Sequence, residues 1–468
     1  MVLGLRRSGS ALAAAAACLL SARAGLTEAD RPDGDDPRRD RHDLIVHSET
    51  YLQLFQQALL PGPGGAIVRT ETVAPIHEFV SLRAVDLNGF SGENTLDIEL
   101  SAWQRLAIGD AGPLGRFDGD VTVANVRERI GPGYVRLGRQ IQSGGAARFA
   151  HFDGVSAGIA FESGLAVDVY GGLTVLPRWT RRPGYYHLGA SADTLLRDPE
   201  ALQDPDRGGE WLAGGAVHYR HQDWLRLSAS LHEQREDSEL GQRRVALNAD
   251  IVPLKFATLA ALGVLDTDSR SIAEARVFAD VEPREDVLVT AEYLHTDPSL
   301  FLSRQSVLSV FGTDEFDELG GEVSYRPIPR LTVSGAGYVQ AFAGDREGTR
   351  GRLRVRAVPD PDERLLAQLE YARVTIAFTG YHSVRASLAY RITDLVRATY
   401  EQYLYAYDEP IRGRSTSLVE AATIGWQFAP EWHALLGGSM TASPYASADT
   451  QALARLTYHF EHGRWGAP

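Results

Sequence analysis

Apolar residues recur at every second position over most of the chain from Pro75 onward, for example in Leu225–Leu231 and Val245–Ile251. Side chains on a strand alternate between its two faces, so each such segment has one apolar face and one polar face. The segments are about ten residues long, which a tilted strand needs to cross a bilayer. No helical period of 3.6 residues competes over these stretches. The pattern predicts membrane-spanning strands.

The connections between these segments alternate between tight turns and longer polar links. Tight turns are predicted near Gly131–Gly133, Pro359–Asp362 and Ala429–Pro430, and long links near 175–209 and 296–313. This asymmetry is typical of outer-membrane barrels. We segment 21 strands between Pro75 and Phe460, whereas a closed bacterial barrel has an even number. The predicted fold is an all-β transmembrane antiparallel barrel of 20–22 strands over residues 66–460, and an additional strand at Ala66–Val73 would give 22.

The residue patterns at the two ends of the chain differ from the alternating pattern of the predicted barrel. Residues 1–24 have the basic start, apolar run and A-x-A site of a secretory signal peptide. Residues 25–47 are rich in charge and predict a disordered tether. Residues 48–60 predict a short helix, with Ser48 as its N-cap and Pro61 after its end. Residues 461–468 form a C-terminal tail.

Composition narrows the partners and the chemistry. Removal of the signal takes away Arg6, Arg7 and Arg23, which moves the net charge from −14 to −17, and an acidic protein is a poor partner for nucleic acid. The only cysteine, Cys18, lies in the signal, so the mature chain has neither disulfides nor thiolate metal sites. The histidines form no helical metal pair, and we expect no metal and no cofactor.

The segment Gly348–Val358 carries an arginine ladder, which is Arg350, Arg352, Arg354 and Arg356. Alternate positions place the four guanidiniums on one face of a strand, about 6.6 Å apart, with an apolar face behind them. A wall between lipid and a water-filled lumen accommodates this pattern. The ladder then favours passing anions, because guanidiniums in a low-dielectric wall raise the local potential. Alternatively, the arginines are paired with Glu370 on the next strand and with loop acids.

Residues Val121–Phe161 resemble the porin hairpin that precedes the constriction loop. The resemblance rests on the Gly131-Pro132-Gly133 turn, on the run Val135–Gln140 and on Phe152-Asp153-Gly154. It implies that the segment between these motifs folds inward and that Arg136 and Arg139 line the pore. Arg127 joins them because it shares a strand face with Asn125.

Two features depart from the porin pattern. Simple alternation places Arg139 on the lipid side with Leu137, so either a β-bulge turns its side chain inward or the side chain reaches the rim. The loop Ser143–Ala150 is also short and contains no acid. The last strand, which ends at Phe460, resembles the C-terminal recognition strand of outer-membrane barrels and implies the barrel-assembly machinery as a partner.

These features together predict an outer-membrane porin of a Gram-negative bacterium. Its function would be passive diffusion of small polar solutes, with anions as the candidate preferred class, and its surroundings would be outer-membrane lipid. A homo-oligomer is compatible with this reading. The alternative is a non-conducting barrel that acts as a receptor, scaffold or adhesion element. We expect no enzymatic activity, because the chain has no G-x-S-x-G elbow at a strand–helix turn.

Overall fold

The computed structural model describes residues 43–59, 69–88, 94–109, 117–175, 210–236, 239–301, 315–344, 346–376, 379–444 and 448–463. The first half of the strands comprises β1 Asp43–Leu59, β2 Arg69–Asn88, β3 Thr95–Gly109, β4 Phe117–Ile130, β5 Gly133–Gly144, β6 Arg148–Ala160, β7 Leu165–Thr174, β8 Trp211–His221, β9 Leu225–Glu236, β10 Glu239–Leu254 and β11 Ala257–Asp266. The second half comprises β12 Ser271–Arg284, β13 Val287–Thr296, β14 Phe316–Ile328, β15 Leu331–Phe342, β16 Arg346–Ala357, β17 Leu365–Ile376, β18 Thr379–Arg391, β19 Val396–Ile411, β20 Arg414–Ala429, β21 Trp432–Ala442 and β22 Asp449–Gly463.

The 22 strands form one closed antiparallel sheet. Each strand pairs with the next along the chain, and β1 pairs with β22 from Asp43↔Gly463 to Leu54↔Ala452. Closure is what a membrane requires of strands, because lipid offers no hydrogen bonds to an open edge. The prediction of a 20–22-strand antiparallel barrel is therefore confirmed at 22.

The predicted N-terminal helix is wrong, because its residues belong to β1. For the same reason, the prediction that residues 43–47 belong to a disordered tether is wrong, and so is the prediction that the barrel starts at residue 66. The local pattern of Ser48–Leu59 suits either period, but β2 and β22 each need a partner, and β1 supplies both. The strand that the sequence count of 21 lacked is thus β1. It is not a separate strand at Ala66–Val73, because β2 starts at Arg69 and continues through Pro75. Residues 1–42 and 464–468 lie outside the described part of the chain.

The outer face of the barrel carries the apolar residues that alternate along the strands. Leu247, Leu319 and Leu353 are 58–62% exposed on this face of the isolated chain. Near the β20–β21 turn, five aromatic side chains contact one another in sequence, with ring centroids 4.7–6.5 Å apart: Trp426, Phe428, Trp432, Tyr458 and Phe460. An apolar band bounded by an aromatic girdle is the signature of an outer-membrane barrel, so the chain is a barrel of the outer membrane.

The two rims differ in their connections. Both β1 and β22 have their terminal ends at one rim, and the short turns near Gly131, Ser163 and Asp394 lie at the same rim. The connections 175–210 and 297–315, which are largely outside the described residues, join strands at the opposite rim. In the described ranges, no helix is long and apolar enough to span a membrane.

Candidate functional site: a hairpin folded into a charged lumen

The β5–β6 hairpin leaves the barrel wall part of the way along its length. β5 pairs with β4 only from Gly133 to Arg139, whereas β5 and β6 stay paired up to Gly144↔Arg148. The departure occurs at Gly138, whose φ is +118°, and a Cβ there would overlap the carbonyl oxygen of Ala124. Only glycine readily adopts this conformation, so Gly138 is the hinge of the hairpin.

The tip of the hairpin lies against the inner wall of the barrel. The backbone N–H of Ala146 donates to Ser230 Oγ on β9 at 2.9 Å, and Arg148 forms an ion pair with Glu274 on β12. Ala146 packs in a buried cluster with Ala246, Val264 and Ala273. These partners belong to β9–β12, several strands beyond β6, and their side chains face inward. The segment therefore folds into the lumen, as the resemblance to the porin hairpin implies.

The base of the hairpin packs on the neighbouring strands. Phe152 is completely buried, and it lies in a cluster with Ala147, Ala150 and Leu212 against Tyr170. The opposite side of the hairpin presents Phe149, which is exposed. Packing on one face and exposure on the other make the hairpin an inner shelf along the wall.

Arg139 spans the seam that opens where the hairpin leaves β4. Its guanidinium donates to both carboxylate oxygens of Asp153 on β6 at 2.8 and 2.9 Å, and to Asp120 and the Val121 carbonyl on β4 at 3.2 and 2.8 Å. His151 similarly contacts the carbonyl oxygen of Thr122 at 2.7 Å. These contacts place the side chain of Arg139 at the seam itself. It ties the two sides of the seam together.

Arg127 and Arg136 lie on the inner face of the adjoining wall. Arg127, whose side chain is 11% exposed, donates from Nε to Asp97 Oδ2 at 2.9 Å, and Arg129 donates to the same oxygen at 3.1 Å. Arg136 is the cross-strand neighbour of Arg127. Tyr134, on the same face, donates to Asp168 at 2.8 Å. This wall therefore holds a compact group of three arginines on β4 and β5.

The arginine ladder lies on β16, and three of its four members contact carboxylates. Arg350 Nη2 lies 2.8 Å from Glu318 Oε1, Arg352 pairs with Glu322, and Arg354 Nη2 lies 2.7 Å from Glu370 Oε2. The pair with Glu370 matches the alternative drawn from the sequence. Arg356 is exposed and contacts no carboxylate in the described ranges.

Sequence reasoning missed the acids on β14, which lie two strands away from the ladder. Ala336 on β15 stands between Glu322 and Arg352, and its small side chain lets them meet. Tyr338, on the same strand, lies under the Arg350 guanidinium, with Cζ 4.3 Å from the ring centroid. No pattern along one strand could reveal these contacts, because they join side chains on two strands that are separated by a third.

A tyrosine track on β19 was also missed, although its signal is the same as that of the ladder. Tyr403, Tyr405 and Tyr407 alternate along the strand and face inward. Tyr381 contacts Tyr405 with ring centroids 5.7 Å apart, and the Arg385 guanidinium lies 4.8 Å from the Tyr403 ring. The spacing Y-x-Y-x-Y in the sequence could have revealed the track.

The two arginine groups stand on opposite sides of the barrel. β5 and β16 are 11 strands apart in either direction around the 22-strand sheet. The ladder, the tyrosine track and the hairpin therefore contribute to different parts of the lumen wall. Across the described ranges, no group of three or more histidine or acidic side chains could hold a metal ion.

Comparisons with known proteins give likenesses in structure only. No protein-family model matches the sequence, and no curated protein matches it significantly. The chain is similar to OccAB4 from Acinetobacter baumannii, at 6% identity and a TM-score of 0.43, over 91% of this chain and 100% of that one. It is similar to OpdK from Pseudomonas aeruginosa, at 8% identity and a TM-score of 0.43, over 90% and 99%. With scores this low, the character of the lumen rests on this chain's own residues.

Proposed function

We propose that this protein is a passive outer-membrane channel for small polar solutes, with a preference for anions, and that it has no catalytic role. One observation carries the proposal: the β5–β6 hairpin is folded into the lumen of a closed barrel and is anchored there by the Arg148–Glu274 pair. A segment held on the inner wall narrows the lumen and sets the size of solute that passes. The proposal includes recognition of β22 by the assembly machinery of a Gram-negative host.

Anion preference is supported by the balance of charge at the arginine ladder. Four guanidiniums of the ladder meet three carboxylates, whereas on the opposite wall Arg127 and Arg129 are balanced by Asp97 and Asp86. Paired charges largely cancel at a distance, so the surplus of arginine decides the local potential. Arg356 supplies the surplus charge, because it is exposed near the rim that holds the termini and contacts no carboxylate in the described ranges.

Conductance of the purified protein in a planar bilayer tests the channel. Stepwise ohmic openings are expected, and Arg148→Gln should enlarge them because it releases the tip of the hairpin from Glu274. Arg276→Gln removes another ion pair of the wall, with Glu292, and serves as the matched control. A silent bilayer with folded, heat-modifiable protein would instead favour the non-conducting barrel.

Reversal potential across a potassium chloride gradient tests the preference for anions. The double variant Arg352→Gln/Arg354→Gln should shift selectivity toward cations, because it removes two positive charges and leaves Glu322 and Glu370 unpaired. Arg412→Gln, in the exposed β19–β20 turn, is the control for a charge change outside the lumen wall. An unchanged reversal potential in the double variant, with conductance intact, contradicts the role of the ladder.

A further inference from the structure

A row of polar and small residues interrupts the apolar outer face across β1–β4. Thr50 pairs with Glu78, Glu78 pairs with Gln104, and Gln104 pairs with Gly119, so the four occupy one row across the strands. We call Thr50, Glu78, Gln104 and Gly119 the polar row. The same outer face bears Leu82, Leu100 and Leu106 on these strands.

The polar row lies at the depth of the hydrocarbon. Val46 and Ser48, four and two residues before Thr50 on β1, pair with Phe460 and Tyr458 of the aromatic girdle. Two to four residues of a strand tilted by about 40° rise about 5–10 Å, and the apolar band is about 25 Å tall. The Glu78 carboxyl therefore stands inside the band, where outward-facing side chains are normally apolar.

Only part of the polar row is hydrogen-bonded within the described part of the chain. Ser48 donates to one carboxylate oxygen of Glu78 at 2.5 Å, and Thr50 donates to the other. Gln104 is exposed, and its amide makes no hydrogen bond within the described part of the chain. A primary amide left facing hydrocarbon loses its two donors and its acceptor. A second molecule that offers a matching polar group would restore them.

Two further features mark the same wall as a contact surface. A groove of about 210 Å³ lies beside Glu78 and Gln104 and is lined also by Ile76, Arg105, Leu106 and Phe117. In addition, Phe117–Val123 of β4 has no strand partner on its β5 side, because the hairpin has left the wall there, and the side chains of Arg139 and His151 bond the Val121 and Thr122 carbonyls in place of a strand. Open strand edges are not exposed to lipid in membrane proteins.

We propose that a second copy of this chain covers the outer wall of β1–β4 and forms a two-fold dimer. Glu78 supplies acceptors and Gln104 supplies donors, and they are neighbours in the row. A two-fold axis between them brings each Glu78 to the partner subunit's Gln104, which is the self-complementary arrangement of an isologous interface. Ala102 and Gly119 beside Gln104 let the two walls approach closely, as small residues do at contacts inside membranes.

Cross-linking of single cysteines in outer-membrane vesicles tests the interface, with Cys18→Ser as the background. Ala102→Cys lies about 7 Å from the proposed axis, so a short bismaleimide should link it to a second copy. Leu353→Cys, equally lipid-facing but on β16, should remain monomeric. Equal dimer yields at the two positions, or a monomer mass for the wild type in mild detergent, would overturn the proposal. A mass of three copies would exclude the two-fold arrangement.

The polar row itself is tested by Glu78→Leu/Gln104→Leu in the Ala102→Cys chain. The yield of cross-linked dimer should fall at least fivefold. Heat-modifiable folding should be retained, because leucine is a normal residue on a lipid-facing wall. Glu420→Leu is the matched control: this carboxyl also lies on the outer face, but it is hydrogen-bonded by Tyr400 and Gln402 of its own chain. A yield unchanged by the double substitution would refute the row as the centre of the contact.

Discussion

Leu353→Arg should lower the stability of the barrel much more than Arg352→Leu, although the two positions are adjacent on β16. Leu353 is 59% exposed on the outer face, and Arg352 lies on the inner face beside Glu322. Leu353→Arg places a cation in hydrocarbon, which costs about 2–4 kcal/mol near the middle of the bilayer. This corresponds to a roughly 30- to 900-fold drop in the folding equilibrium constant. Arg352→Leu removes a partly solvated ion pair, which contributes about 1 kcal/mol or less.

The assay is the free energy of unfolding of each variant from phospholipid vesicles in urea, with heat-modifiable migration as the measure of folding. The two variants form a matched pair, because they exchange the same two residue types at neighbouring positions of one strand. Equal losses of free energy would refute the assignment of the two faces of β16, and with it the lipid-facing wall. A larger loss for Arg352→Leu would show that the pair with Glu322 is shielded from the water of the lumen.

Three further outcomes are expected. Gly138→Ala should lower the free energy of unfolding by about 1–3 kcal/mol, because alanine is strained at a φ of +118°; an unchanged urea midpoint would rule out Gly138 as a strained hinge. On intact cells, a membrane-impermeant thiol reagent should label Ser269→Cys in the β11–β12 turn and not Ser163→Cys, and the reverse would invert the barrel. The pKa of Asp360 is lowered because the backbone N–H of Leu365 donates to its carboxylate at 2.8 Å. That contribution is present at neutral pH and is lost as the pH falls through the lowered pKa, so the protection factor of the Leu365 amide against hydrogen exchange should fall in acid, and an unchanged protection factor would contradict the bond.

Residues on alternate positions could be assigned to a face from the sequence because a strand has a period of two. The arginine ladder needed no tertiary information for this, and neither did the tight turns near Gly131 and Pro359, where turn residues break the alternation. The aromatic pattern of the last strand likewise indicated where the wall meets the membrane surface. These features depend on the local geometry of one strand or one turn, which a few neighbouring residues determine.

The partners of those residues were decided only by the tertiary structure. Ser48–Leu59 is a strand because β22 and β2 would otherwise expose their edges to lipid, and no local pattern expresses that need. Glu318 and Glu322 reach the ladder across β15, and Arg139 bridges a seam that exists only because the hairpin leaves the wall. The sequence determines which side chains face water and which face lipid. Closure of the barrel decides which of them meet, because neighbours around the wall are far apart along the chain.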